Sequence, residues 1–100
     1  MRPLATALLI LAAAMPALAE TDAQRAERCA AQAQIVGQAV EMRKKRQSET
    51  KVKDSLLAEV DAKLAPSVPL LVGYVFTLNR KDLKLDVAAS FAEQCTAYKP

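Results

Sequence analysis

Apolar residues in the first part of this chain recur at the spacing of one helical face. Residues 21–46 are rich in Ala, Gln, Glu and Arg, and their apolar positions return every three or four residues, which is the period of an α-helix. Thr21 or Asp22 can cap its start, and the basic residues at its end suit the negative end of the helix dipole. The predicted face comprises Ala26, Cys29, Ala33, Val36 and Val40.

A second amphipathic helix is predicted after a short break. Ser48 and Thr50, within residues 47–50, can both accept hydrogen bonds from the first N–H groups of a new helix. Beyond them apolar residues step by four, and charged residues occupy the remaining positions. Residues 65–69 contain two prolines, which predict a firm boundary. The stepping residues are Val52, Leu56, Val60 and Leu64.

Residues 70–78 are apolar all round, so they fit either a fully buried helix or a strand over residues 71–76. We favour a helix, because no other segment has a strand pattern and a lone strand would leave its backbone groups unpaired. Residues 79–82 form a predicted polar turn, and a last helix is predicted over residues 83–97. Its apolar stripe comprises Leu85, Ala88, Phe91, Ala92, Cys95 and Tyr98.

The first 19 residues have the pattern of a cleavable signal peptide. Arg2 supplies a positive start, residues 4–14 are almost entirely apolar, and Ala17 and Ala19 are the small residues that a signal peptidase recognises. A retained membrane anchor is the alternative, but it needs about 20 apolar residues. We therefore expect cleavage near Ala19, a periplasmic or secreted location, and a single helical domain over residues 20–100.

Cys29 and Cys95 are the two cysteines of the chain. In an exported protein an even number of cysteines indicates a disulfide, with two buried thiols or an intermolecular bridge as the alternatives. A bridge brings the two Cα atoms within about 7 Å. Cys29 lies early in the first helix and Cys95 late in the last, so antiparallel neighbours meet this condition only with an even number of helices. The predicted fold is all-α, a small irregular antiparallel four-helix bundle closed by one disulfide.

Gly37 and Gly73, the two glycines, fall inside predicted helices. Each costs about 1 kcal/mol there relative to alanine. The hypothesis is that they mark close approaches between helices, including an approach to one another. The alternative is that each is a tolerated glycine with nothing packed on it.

Positive charge is concentrated after the first predicted helix. Removing Arg2 with the signal leaves 13 Lys and Arg against 11 Asp and Glu, a net charge near +2 that says little about partners. The dense cluster is a candidate contact for an anionic surface such as phospholipid headgroups or lipopolysaccharide, although an ordinary solvated helix end has the same pattern. Nucleic acid is not expected, since no aromatic residues interleave the charges. The cluster comprises Arg43, Lys44, Lys45, Arg46, Lys51 and Lys53.

Catalytic chemistry is not predicted. The chain has no His, so it has no imidazole base, and a disulfide would remove its thiols as nucleophiles. Without His or closely spaced cysteines, no zinc site is expected, and no motif indicates a cofactor. Phe76 and Phe91 are expected in the core, and Tyr74 and Tyr98 at its edge.

Three stretches carry a resemblance to known proteins. They are Val-Gly-Gln-Ala-Val-Glu-Met-Arg from residue 36, Val-Pro-Leu-Leu-Val-Gly-Tyr-Val-Phe from residue 68, and Phe-Ala-Glu-Gln-Cys from residue 91. With the leader, they resemble a family of small uncharacterised periplasmic proteins of Gram-negative bacteria, which implies no activity. In plan the chain is also similar to the helical acid-stress chaperones of the periplasm, although no aromatic residue flanks Cys29 here.

The leading functional hypothesis is a non-catalytic periplasmic binding or accessory protein that uses its helical surface and has a protein partner. The first alternative is a stress chaperone that exposes apolar surface on partial unfolding. A second alternative is an adaptor that attaches through the basic cluster to an anionic membrane surface.

Overall fold

A computed structural model describes residues 20–98, which contain four α-helices, two short 3-10 helices and no strand. The predicted signal peptide, residues 1–19, lies outside the described residues. The α-helices are α1 (Asp22–Lys44), α2 (Glu49–Glu59), α3 (Val68–Thr77) and α4 (Val87–Ala97), and the 3-10 helices are Ala65–Ser67 and Arg80–Lys84.

The first two helices are bounded by the side chains that the sequence indicates. At the start of α1 the Thr21 hydroxyl accepts from the Gln24 backbone N–H (3.0 Å), and the Gln24 side chain accepts from the Thr21 N–H (2.9 Å), a capping box. After α1 the chain turns through Arg46, whose φ of 65° is left-handed. Ser48 then caps α2 by accepting from the Lys51 N–H at 3.2 Å. The predicted break between these helices is confirmed.

The core lies where α1, α2 and α3 meet. On the predicted face of α1, Cys29, Ala33, Val36 and Val40 are buried and Ala26 is exposed. Of these residues, Val36 and Val40 belong to the shared core. Because α1 contacts each of the other three helices, its buried surface is wider than one stripe. Two further residues of α1, Ile35 and Ala39, are therefore buried as well. The completely buried residues of α2 and α3 are Val52, Leu56, Val68, Val72 and Val75.

Contacts along α1 show in which direction the neighbouring helices run. Gln32 in the first half of α1 donates to Ser67 before α3, and Arg43 near its end donates to Leu78 after α3, so α1 and α3 run parallel. Cys29 bonds to Cys95 at the end of α4, with 2.04 Å between the sulfurs and 5.7 Å between the Cα atoms. Helix α4 is thus antiparallel to α1, and the predicted four-helix bundle with its disulfide is confirmed.

Two predicted boundaries are wrong. Helix α2 ends at Glu59 rather than at residue 64, because Val60 adopts an extended backbone and Leu64 reaches the core edge from a turn. The last helix begins at Val87 rather than at residue 83. It starts there because the Asp86 carboxylate accepts from the Ala89 N–H at 3.0 Å and caps it.

The ambiguous segment at residues 70–78 is helical as far as Thr77, the end of α3, and Pro69 lies in the first turn of this helix. Phe76 and Phe91 pack against the core, as expected. Leu85 and Tyr98 are not on the buried stripe predicted for the last helix, because Leu85 precedes α4 and Tyr98 follows it. Each has 67% of its surface exposed.

The two glycines face different helices. A Cβ on Gly37 would lie 3.5 Å from the Cβ of Ala88, so α1 and α4 do approach closely there. Gly73 faces α2 instead, and the nearest atom to a Cβ on it would be a carboxylate oxygen of Glu49 at 3.9 Å. The hypothesis is confirmed for Gly37, whereas the expected approach of the two glycines to one another is wrong.

Candidate binding surface at the basic end

The topology brings two connections of the chain to the same end of the bundle. Since α1 and α3 are parallel, the α1–α2 turn and the α3–α4 connection both follow the ends of these helices. The side chains of Met42 and Lys45 share a shallow groove with Asp86, which confirms that the two connections are neighbours. We call this part of the molecule the basic end and define it as residues 41–51 and 80–86.

Arg43 belongs to the interior of the bundle more than to its surface. One guanidinium nitrogen, Nη1, donates to the Val75 carbonyl (2.6 Å) and to the Leu78 carbonyl (2.7 Å). The Val75 carbonyl lies in the last turn of α3 and also accepts from the Leu78 N–H, whereas the Leu78 carbonyl lies just after the helix. The guanidinium carbon also lies 5.3 Å from the centre of the Phe76 ring, a cation–π contact. Arg43 therefore ties α1 to the end of α3.

The other predicted cations of the cluster remain at the surface. Lys44 lies 3.3 Å from Glu41, and because both side chains are largely exposed, this pair contributes little. Lys45, Arg46 and Lys51 are exposed, and Lys53 is half-buried. These four residues form no ion pair with any part of the chain that the structure describes.

Three further cations join the cluster from the α3–α4 connection, and the sequence interpretation missed them. They lie in and around the 3-10 helix Arg80–Lys84, which contacts α1. All three are exposed, and none is ion-paired within residues 20–98. An even number of antiparallel helices already places both connections at one end, so the signal was present in the predicted topology. The added cations are Arg80, Lys81 and Lys84.

Charge is separated along the molecule. The basic end contains eight Lys and Arg against four Asp and Glu, a net charge of +4. The rest of the described chain contains four Lys and Arg against seven Asp and Glu, a net charge of −3. The net charge of the whole molecule is small, but its charges are unevenly distributed, so the electrostatic field attracts anions to one end.

At the opposite end the arginines are already paired. Arg28 donates to both carboxylate oxygens of Glu20, from Nε at 2.8 Å and from Nη2 at 2.9 Å. This hydrogen bonding to Arg28 lowers the pKa of Glu20 from its ordinary value, and Glu20 in turn raises the pKa of Arg28. Arg25 lies 3.2 Å from Asp22. The positive charges of these two arginines are thus locally neutralised.

Other parts of the described chain offer little site chemistry. No buried polar or charged side chain occurs among residues 20–98, and the same residues contain no group of side chains that could hold a metal ion. None of the helices in this range has the length and apolar character needed to cross a bilayer.

Comparisons with models of protein families, with curated proteins and with solved structures found no match. The resemblance to small periplasmic proteins therefore stays a prediction, and the function is argued from the chain itself.

Proposed function

We propose that this protein is a small exported, non-catalytic binding protein that acts through its helical surface, with the basic end as its binding surface. The observation that carries the proposal is the net charge of +4 confined to one end, where most of the cations are exposed and not ion-paired within residues 20–98. A partner of dense negative charge would be drawn to that end and oriented by it.

The basic end has a fixed backbone, which supports binding over a diffuse charge effect. Arg43 joins the end of α1 to the last turn of α3 through two hydrogen bonds. Leu83, in the middle of the second basic segment, is only 2% exposed and belongs to the core cluster. The two segments therefore present their lysines from anchored positions, which lowers the ordering cost of binding.

Export and the lack of catalysis are also part of the proposal. The signal-peptide pattern of residues 1–19 supports export to the periplasm, and a disulfide between Cys29 and Cys95 is compatible with an oxidising compartment. The chain has no His, and its cysteines are bonded to one another. These features support a binding or accessory role.

The proposal is tested with an anionic polymer, immobilised inorganic polyphosphate, and the mature protein. We expect binding that weakens as salt increases. Neutralising two cations of the basic end, Lys45→Gln with Lys81→Gln, should lower affinity roughly thirtyfold, since each basic residue near an anionic surface contributes about 1 kcal/mol. The matched control, Arg25→Gln with Lys63→Gln, removes the same charge elsewhere and should have little effect. Equal losses in the two variants, or no binding by the unmodified protein, would contradict the proposal.

A stress chaperone is the second candidate, and the light packing of α4 favours it. Val87 is the only buried residue of that helix, so partial unfolding could release α4 and uncover apolar surface of α1. Suppression of client aggregation at about pH 3, with no binding to polyphosphate, would support this function over the first.

A further inference from the structure

We infer that the partner of the basic end is an anionic phospholipid bilayer and that Leu85 enters it. This inference rests on the proposed function and names the partner of the same surface. The observation behind it is an exposed leucine placed among the cations that the α3–α4 connection adds to the basic end.

Leu85 is held outward by buried residues on both sides. It is 67% exposed, whereas Leu83, two residues earlier, is 2% exposed and Val87, two residues later, is 7% exposed. The backbone at Leu85 is extended, with φ −79° and ψ 164°, and it connects the 3-10 helix that contains Leu83 to α4, which begins at Val87. With its neighbours fixed in the core, Leu85 cannot turn inward without dislodging them.

The charges around Leu85 complement a negatively charged membrane. Lys84 precedes it directly, and Lys81 lies one turn earlier in the same 3-10 helix. Lys45, which follows α1, lines the same groove as Asp86. The negative charge of Asp86 is partly offset because its carboxylate caps α4, where the helix dipole is positive.

A single exposed leucine is common on protein surfaces and indicates no partner by itself. Cations alone would bind any polyanion. The combination selects a bilayer, because its headgroups offer negative charge and the region beneath them offers apolar surroundings within reach of one side chain. Peripheral proteins bind membranes through the same two contributions, buried apolar area and attraction to anionic lipids. Leu70, which is 79% exposed, lies at the start of α3, away from the basic end.

The absence of Trp from the chain permits a direct test with the mature protein. A Leu85→Trp variant is mixed with vesicles of phosphatidylcholine alone or of phosphatidylcholine with phosphatidylglycerol. With the anionic vesicles we expect Trp emission to shift to the blue and to be quenched by brominated acyl chains. The matched control, Leu70→Trp, should show neither change. An unshifted Leu85→Trp spectrum on vesicles that do bind the protein would overturn the inference.

Cosedimentation of polar variants separates this inference from the proposed function. Leu85→Ser should lower the affinity for phosphatidylglycerol vesicles roughly tenfold and leave polyphosphate binding unchanged, and Leu70→Ser should change neither. Equal vesicle binding by Leu85→Ser and the unmodified protein would show that Leu85 does not contact lipid. The proposed binding surface formed by the cations would not be contradicted by that result. If the protein binds neither polyphosphate nor anionic vesicles, both this inference and the proposed function are wrong. Equal binding to neutral and anionic vesicles would also exclude an anionic bilayer as the selected partner.

Discussion

Two parts of this bundle are stabilised in different ways. Helices α1, α2 and α3 share a core of completely buried Val and Leu side chains, whereas α4 has one buried residue, Val87. Complete burial of a Val or Leu side chain contributes about 1.5–3 kcal/mol. Helix α4 has few such contributions, so it must be held by other means.

Helix α4 is held against α1 by a close helix–helix contact near its start and by a covalent link near its end. Gly37 of α1 faces Ala88 of α4, and the α4 residues that line the groove beside this contact are Ala88, Ala89 and Ala92. Small residues permit close packing but remove little apolar area from water. The Cys29–Cys95 disulfide then fixes the far end of α4 against α1. Helix α4 is therefore positioned mainly by close contact with α1 and by the disulfide, and the other helices are positioned by burial of apolar side chains.

Removing the disulfide should have the largest effect and should fall on α4. The two cysteines are separated by 66 residues, and the chain-entropy model assigns roughly 4 kcal/mol to a link of that length. For Cys29→Ala with Cys95→Ala we expect a loss of about this size in chemical denaturation. Hydrogen exchange should show the amides of α4 losing protection before those of α3.

Reduction of the unmodified protein provides the control, since it breaks the same bond without changing the side-chain packing at Cys29. If the amides of α4 and α3 lose protection together, α4 is not the separately held helix that the comparison describes.

A substitution at Arg43 should affect the part of the bundle that is held by burial, helices α1, α2 and α3. Hydrogen bonds from a charged group contribute about 1.5–3 kcal/mol, and Arg43 makes two to the end of α3. We expect Arg43→Gln to lower the free energy of unfolding by about 2 kcal/mol and to loosen the last turn of α3 while α4 keeps its protection. Lys44→Gln, at an exposed neighbouring position, should change stability by less than about 0.5 kcal/mol. Equal losses in these two variants would show that the inward hydrogen bonds of Arg43 contribute nothing.

The sequence predicted the helices well where a side chain marks their ends. Thr21 and Ser48 were visible as caps. The apolar character of residues 70–78 fitted a helix or a strand, and the lack of any other strand pattern favoured the helix. The end of α2 was missed because Leu64 continues the step of four, although it reaches the core from a turn. The start of α4 was missed because Leu85 has the right spacing for the stripe, and only the cap formed by Asp86 shows that the helix starts later.

The candidate site was predictable only in part, because residue type does not reveal direction. Arg43 looks like the other cations of its cluster, yet it turns toward α3, where the carbonyls of Val75 and Leu78 accept from its guanidinium. Arg80, Lys81 and Lys84 are distant in sequence, so their place in the cluster depends on helix directions. Leu85 was expected in the core, and its exposure follows from the two buried residues that flank it.

Substitutions at Gly37 should have the smallest effect on stability, and they test how closely α4 packs against α1. A Cβ at this position would meet Ala88 at 3.5 Å, an ordinary contact, so Gly37→Ala should raise stability by about 0.5–1 kcal/mol through better helix propensity. Gly37→Leu should instead push α4 away and lower stability by about 1 kcal/mol, with a melting temperature lower by several degrees.

Gly73 is the matched control, because a side chain there would meet only the flexible end of Glu49. Gly73→Leu should therefore cost less than Gly37→Leu in thermal unfolding. The same loss at both positions would mean that the approach of α1 to α4 is no tighter than the contact between α2 and α3. The disulfide would then be left as the main restraint that positions α4.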